Sequence, residues 1–343
     1  MKAAVFQAIG APLSVSNIAD PTPKQDEVLL KICRCGICGS DLHMTAEEVF
    51  AVAPGFVLGH EMSGEVIEAG PDAHGLKPGD QVSVAPLRGC GHCPACRAGE
   101  PAWCASMQLI GGGYAQYAAV AGRQCRKLPL GVSAADGALA EPLAVALHGV
   151  QRSGMRPSDR VLVVGAGAIG LAIAFWARRL GAREVVVADL HRLQEDRARA
   201  LGATAFLVSD SELPGRLAER FPGGPDIVFE CVGKPGLIDL CLSLVRPRGK
   251  VAVLGLCTAP DHMDSFRAIS KEVDILMSVF FDMQEFTRAI DALDRGEYAP
   301  QTLISDTIGL DDTPAVFEAL RKRTTQCKVM IDPFSTRSPT AAL

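Results

Sequence analysis

Apolar, β-branched runs recur without polar alternation along the second half of the chain. They lie at Val161–Val164, Glu184–Ala188, Ala205–Val208, Asp226–Glu230, Lys250–Leu254 and Val273–Met277. Strands of this kind belong in a sheet covered on both faces. Helical patterns fill most of the gaps, at Ile169–Leu180, Arg192–Leu201, Glu212–Phe221 and Gly236–Val245. The alternation predicts an α/β fold with a doubly wound parallel sheet of about six strands. The longest apolar stretch, Val161 to Ala177, is broken by three glycines and closed by Arg178 and Arg179. It reads as a buried strand, a tight turn and a buried helix rather than a membrane span.

The first of these strands runs straight into Gly165-Ala166-Gly167-Ala168-Ile169-Gly170. This is G-x-G-x-x-G between a strand and a helix. Gly165 allows the tight turn, Gly167 the close approach of a pyrophosphate, and Gly170 the packing of helix on strand. Amides at the helix start, including those of Ala168 and Ile169, then face phosphate. Asp189 ends the second strand, 19 residues after Gly170. A carboxylate there accepts hydrogen bonds from ribose hydroxyls and repels a 2′-phosphate, so NAD is expected over NADP. The alternative is that Asp189 only caps the next helix. His191 and Arg192 are close enough to soften the preference.

Composition narrows the classes. The 343 residues suffice for two domains, and 48% apolar with 21% charged residues is ordinary for a globular protein. The net charge of −5 offers no basic face to nucleic acid. There is no repeat, low-complexity tract or amphipathic anchor, so no membrane partner is expected. Met1 leads directly into KAAVFQ, which reads as a first strand rather than a secretory leader. The tail STRSPTAAL is expected to fray.

Twelve cysteines change the picture. Four fall within fifteen residues, Cys90, Cys93, Cys96 and Cys104 in GCGHCPACRAGEPAWC, a segment read as a loop. Four thiolates at this spacing close a tetrahedral shell around one Zn²⁺, which makes a structural site. Two disulfides, or a zinc ribbon for nucleic acid, are the alternatives. The other eight cysteines are scattered and fit a reducing cytosol. Cys33 and Cys35, two apart on an expected strand, would share a face near Cys38. A second constellation is open: Cys38 in CRCGICGSDLH, then Gly59-His60-Glu61. One thiolate, one imidazole and one carboxylate with a vacant fourth place describe a catalytic zinc. Singly, each has a bland reading as a core cysteine, a loop histidine or a surface charge.

The motifs CGICGSDLH, LGHE, the cysteine loop and GAGAIG stand in one order along nearly the whole chain. In this the sequence resembles the zinc-dependent medium-chain dehydrogenase/reductases of the alcohol dehydrogenase superfamily. It is most similar to their sorbitol, threonine and butanediol dehydrogenase branch. The resemblance implies a Rossmann domain inserted in a β-rich, GroES-like catalytic domain. The divisions would be residues 1–149, with the zinc loop at 89–104, then 150–284, then a return over 285–343. It implies that Cys38, His60 and Glu61 bind the catalytic zinc, with Glu141 of LAEPLAVALHGV as a further ligand, direct or through water. It implies that Ser40 hydrogen-bonds the substrate oxygen, that His43 passes the proton to solvent, and that Asp41 orients His60. Val232 and Gly233 in ECVG, and Leu254 and Gly255 in VAVLGL, would line the cofactor cleft with Asp189 and Arg192. Lys328 would either reach the pyrophosphate or stand exposed on a strand.

The expected enzyme is a cytoplasmic, NAD-dependent, two-zinc alcohol dehydrogenase, dimeric or tetrameric by analogy. The segment MTAEEVFAVAPGF does not fit the aromatic and glycine pattern usual in polyol-active relatives, and Ser278-Val279-Phe280-Phe281 stands where polar or charged polyol contacts would be expected. With Met44, Phe50 and Phe56 they suggest a secondary alcohol or ketone bearing a bulky apolar or aromatic group. These side chains could equally fill core. A polyol, diol or threonine dehydrogenase is the near alternative, and a catalytically silent binding protein the distant one.

Overall fold

The computed structural model describes residues 1–294, 298–322 and 325–336. Beyond residue 336 the expected frayed tail lies outside the described residues. The chain forms two compact units. The first comprises Met1–Glu141, Asp282–Arg295 and Ile304–Leu343, and the second Pro142–Phe281 and Gly296–Leu303. The first two crossings fall at 141/142 and 281/282, against expected divisions at 149/150 and 284/285, and two more set 296–303 of the expected return segment in the second unit.

The first unit is built on a seven-stranded sheet. Its order is Ile304–Ile308, Lys328–Ile331, Glu27–Gly36, Glu61–Ala69, Gln81–Val84 and Cys125–Lys127, with Tyr117–Ala121 also paired to Glu27–Gly36. Alternation in EVLLKI sends Val28, Leu30 and Ile32 into the core and leaves Lys31 exposed. Met62, Val66, Val82, Val84 and Phe317 complete that core. Pairing slips between Ile32 and Arg34, so a bulge falls at Cys33. The bulge corrects the shared face expected for Cys33 and Cys35: Cys35 is buried, whereas Cys33 stays part-exposed. Near the other edge of this strand, Gly36 lies opposite Glu61 on one side and Met330 on the other.

The second unit holds a six-stranded parallel sheet. Its order is Ala205–Val208, Glu184–Asp189, Arg160–Val164, Ile227–Glu230, Lys250–Val253 and Asp274–Met277. That is 3-2-1-4-5-6, so the direction of winding reverses beside Arg160–Val164. Leu162, Val164, Val186, Val228 and Val251 are almost fully buried under flanking helices. Helices run over Ala168–Arg179, Leu213–Arg220 and Leu237–Leu244, while the expected helix from Arg192 begins as a 3₁₀ turn before Glu195–Ala200. A helix at Ser265–Lys271 had no sequence expectation; it spans only seven residues, and its Phe266 and Ile269 are exposed. Among the described residues, no helix is long and apolar enough to cross a membrane.

Gly170 sits where helix Ala168–Arg179 meets the first strand. A Cβ there would collide with the Gly165 carbonyl oxygen and press on Val163. Gly170→Ala should therefore cost about 1–3 kcal/mol through overpacking. It should lower the first thermal transition involving this unit; an unchanged melting curve would show that the contact does not constrain the turn.

Candidate metal and cofactor sites

Helix Gly39–Met44 follows directly on Cys38, whose extended backbone caps it. Asp41 at the third helical position accepts the Cys38 amide at Oδ2, 3.2 Å away. The same oxygen accepts the Tyr114 hydroxyl at 2.5 Å, and Oδ1 lies 3.2 Å from His60 Nδ1. Asp41 and Tyr114 are fully buried. His60 thus turns Nδ1 towards a carboxylate, which leaves Nε2 for a ligand. Burial works against the charge on Asp41, but His60, Tyr114 and the Cys38 amide outweigh it and hold the carboxyl below its usual range. Burial likewise opposes the imidazolium of His60, yet Asp41 and Cys38 carry its pKa well above the usual value.

The ligand atoms of Cys38, His60 and Glu61 lie within 4.8 Å of one another. A thiolate, an imidazole and a carboxylate at that separation suit a zinc ion. Glu141, near the start of helix Ala140–Arg152, is 6% exposed. Burial pushes its carboxyl up to about 7, with His60 pulling it down and Glu61 adding to the rise. Ser40 donates its hydroxyl to Cys38 Sγ at 3.2 Å. His43 Nδ1 lies 2.6 Å from Glu47 Oε1, on a part-exposed face of the same helix.

Lys328 departs from expectation. It is 3% exposed, and its ammonium donates to both oxygens of Glu61 at 2.6 Å and to the Ile37 carbonyl at 3.1 Å. It is neither exposed nor free to reach outward. Burial opposes its charge, but Glu61 and Cys38 outweigh that and keep its pKa above the usual lysine value. Sequence reasoning misplaced Lys328 and missed Tyr114. The available signal was the carboxylate demand of a buried cluster, which needs a nearby cation and donor.

The cysteine loop is not wholly irregular. It carries one helical turn at Pro94–Arg97 and a 3₁₀ turn at Pro101–Trp103. This corrects the loop assignment; Pro94 and Pro101 stand at first-turn positions, where a missing N–H costs nothing. Cys90, Cys93, Cys96 and Cys104 also bring their sulfurs within 4.8 Å. All twelve cysteines are unbridged, so the disulfide alternative is not realised. The amides of Cys90, Cys93, Cys96 and Ser106 donate to loop sulfurs at 3.3–3.5 Å. Backbone donation from His92 and Cys93 pulls Cys90 down to about 6, while burial pushes Cys96 up to about 11. Without a cation, four ionised thiols are too many for one small volume.

In the second unit, the glycine loop lies at the carboxyl end of the first strand. Gly165 has φ +103°, and Gly167 caps helix Ala168–Arg179, whose first turn contains Ala168, Ile169 and Gly170. Asp189 ends its strand. Its Oδ2 accepts the Ala166 amide at 2.6 Å and its Oδ1 the Leu190 amide at 2.7 Å. Arg192 pairs with Glu195 at 2.6 Å near the surface. Glu230, also missed from sequence, is 2% exposed. Its Oε1 accepts the Val232 and Gly233 amides at 2.7 and 2.9 Å, and its carbonyl accepts those of Leu254 and Gly255. One residue, through its carboxylate for Val232–Gly233 and its backbone carbonyl for Leu254–Gly255, therefore holds both turns expected to meet the cofactor.

Two family patterns match this chain: the alcohol dehydrogenase GroES-like domain over residues 24–130, and the zinc-binding dehydrogenase domain over residues 168–295. Sorbitol dehydrogenase of Bacillus subtilis (strain 168) is 30% identical over 97% of this chain and 97% of its own. Sorbitol dehydrogenase of Ovis aries is 32% identical over 90% of each. A zinc-binding dehydrogenase structure from Sinorhizobium meliloti 1021, bound to NADP, superposes with a TM-score of 0.89. It is 33% identical and covers 97% of this chain and 99% of that one. The chain belongs to the zinc-binding medium-chain dehydrogenase/reductase family and is an oxidoreductase acting on CH–OH groups.

Because Asp41 and Cys38 favour the imidazolium of His60 when no cation is present, zinc uptake should expel a proton there. Affinity of the metal-free protein for zinc should rise as pH is raised through neutrality. Calorimetry at pH 7 in two buffers of different ionisation enthalpy should register proton release, and Asp41→Asn should reduce it and weaken binding by about 10–100-fold. Binding without proton release would contradict the assigned state of His60.

Proposed function

We propose that the protein interconverts a secondary alcohol of the polyol or sugar-derived class and its ketone, using NAD and zinc. The convergence of Cys38, His60 and Glu61 on a buried, charge-compensated point carries this reading. Cys38 and His60 would hold the metal, with Glu61 and Glu141 as the carboxylates available to it. Zinc bound there would supply a Lewis acid that acidifies the alcohol, and NAD would accept the hydride. Asp41 keeps the imidazole of His60 oriented. Ser40, one hydroxyl removed from Cys38 Sγ, takes the alcohol proton, and His43 with Glu47 offers it a route to solvent. Asp189 favours NAD, and Glu230 holds the turns of Val232–Gly233 and Leu254–Gly255 for the cofactor. Two zincs per chain, a homodimer or homotetramer and a cytoplasmic location belong to the same reading. Unbridged thiols throughout the chain support the last of these.

The polyol class gains support from two of the apolar side chains named above, while Phe56 and Val279 stand exposed. Met44 packs on the first unit's core, and Phe281 is 3% exposed in the second. They contribute to core rather than to a substrate surface. The names of the relatives above point the same way. A bulky apolar alcohol remains the second reading. The apolar side chains behind that reading include Phe56, which lines an open cleft of about 600 Å³ in the first unit with Val57, Leu109 and Ile110, though none of Cys38, His60 and Glu61 is among that lining.

Steady-state rates at 340 nm, with zinc-replete protein, test both. We expect kcat/KM highest for polyols or sugar-derived alcohols with NAD, and turnover abolished by Cys38→Ala. A clear preference for aromatic or terpenoid alcohols would replace the first reading with the second. A preference for NADP would remove the role given to Asp189.

A further inference from the structure

We propose that the second unit carries an anion site at the amino ends of its sheet, suited to a phosphate group, either free phosphate or that of a small phosphate monoester. An open cavity of about 450 Å³ lies there, a size that accommodates small ligands. Its lining holds four cations, Arg156, Arg246, Arg248 and Lys250, against two carboxylates, Asp159 and Asp226. The strands it adjoins are parallel, so it sits at the opposite end of the sheet from the glycine loop that follows Val164. Two turns of one design form its rim. Arg156-Pro157-Ser158-Asp159 leads into strand Arg160–Val164, and Arg246-Pro247-Arg248-Gly249 into strand Lys250–Val253. In each, the fourth amide donates to the first carbonyl, at 3.2 and 3.1 Å. Each has proline second and a residue of positive φ third, Ser158 at +75° and Arg248 at +56°. Glycine or asparagine suits that third place. Arginine there is strained, and strain that keeps a guanidinium over a cavity points to a use for it.

The cations of the lining are not neutralised by their neighbours. Asp226 is shared between Arg246 Nε at 2.7 Å and Arg160 Nε at 3.2 Å, so one carboxylate serves two arginines. Asp159 Oδ2 accepts the Arg156 amide at 2.8 Å. Among the described residues, the Arg156 guanidinium has no partner. Lys250 Nζ donates to the Ser153 carbonyl at 2.8 Å and meets no carboxylate among the described residues. Gly154 makes room for it, since a Cβ there would stand 2.9 Å from that ammonium. Arg248 pairs with Glu272 at 3.0 Å, but both side chains are more than three-quarters exposed, so that pair is weak and exchangeable. Four cations less two carboxylates leave a surplus of two positive charges in the lining. A phosphate dianion matches that surplus, and guanidinium forks match its oxygens.

The test is calorimetric titration of the full-length protein with inorganic phosphate and with methyl phosphate, at fixed ionic strength. NAD is kept in excess so that the glycine loop does not compete for the probe. We expect one saturable anion per chain, held less tightly as salt is raised. Arg248→Gly and Arg156→Ala should each weaken it about tenfold. Because glycine relieves the strained turn, Arg248→Gly should melt no lower than the parent without anion, which separates lost binding from lost folding. Phosphate should raise the melting temperature of the parent and not that of Arg248→Gly. Tighter binding of methyl phosphate than of inorganic phosphate assigns the site to a monoester, and the reverse assigns it to the free ion. The proposal is overturned if neither probe binds saturably. It is equally overturned if either variant binds as the parent does, since the anion would then rest elsewhere on the protein.

Discussion

The ion pair between Glu61 and Lys328 is the contact on which the first unit's organisation turns. Five ionisable side chains, Asp41, His60, Glu61, Glu141 and Lys328, are nearly removed from water inside a β-rich core. Apolar burial alone would forbid this arrangement, because an unpaired buried charge costs several kcal/mol. The pairs Asp41–His60 and Glu61–Lys328 compensate most of it. Breaking one by removal of a single partner would cost about 3–5 kcal/mol. The topology follows from the need: the chain must return at residues 328–331 to lay a lysine beside Gly36, some 290 residues after that strand was formed. The ligand atoms of Cys38, His60 and Glu61 meet within 4.8 Å beside these pairs, a donor set that a divalent ion complements.

The second unit uses carboxylates differently. Asp189 and Glu230 each end a parallel strand and each accept two backbone amides from the adjoining turns. They do structural work at the edge where helix amides and strand ends converge. A charge-assisted bond to an amide is stronger than a neutral one, so these turns are held more firmly than ordinary loops. The glycine loop is shaped by Gly165 and Gly170 and then locked from outside by Asp189.

What could be read from the sequence divides along the same line. The six parallel strands were legible because burial on both faces leaves unbroken apolar runs, and their observed bounds differ by a residue at most. The helix Ser265–Lys271 was not, since seven residues are too few for a helical period to stand out. The cysteine loop and Cys38, His60 and Glu61 were legible by chemistry and spacing, and the structure brings each group together. Lys328 was not, because its meaning depends on a cross-strand neighbour 267 residues away rather than on its flanking residues. The bulge at Cys33 was hidden for a related reason: register is a property of two strands, and a single sequence shows one. Tyr114 and Glu230 sit in ordinary apolar surroundings in sequence, and only their hydrogen bonds reveal what they hold.

The central claim is that the buried charge cluster and the cysteine loop each exist to hold a metal ion. Anomalous diffraction at the zinc absorption edge, from crystals of protein purified with zinc, tests it most directly. Two peaks per chain are predicted, one among Cys90, Cys93, Cys96 and Cys104, the other adjoining Cys38 and His60. A structure with full density for those side chains and no anomalous peak beside His60 would contradict the account.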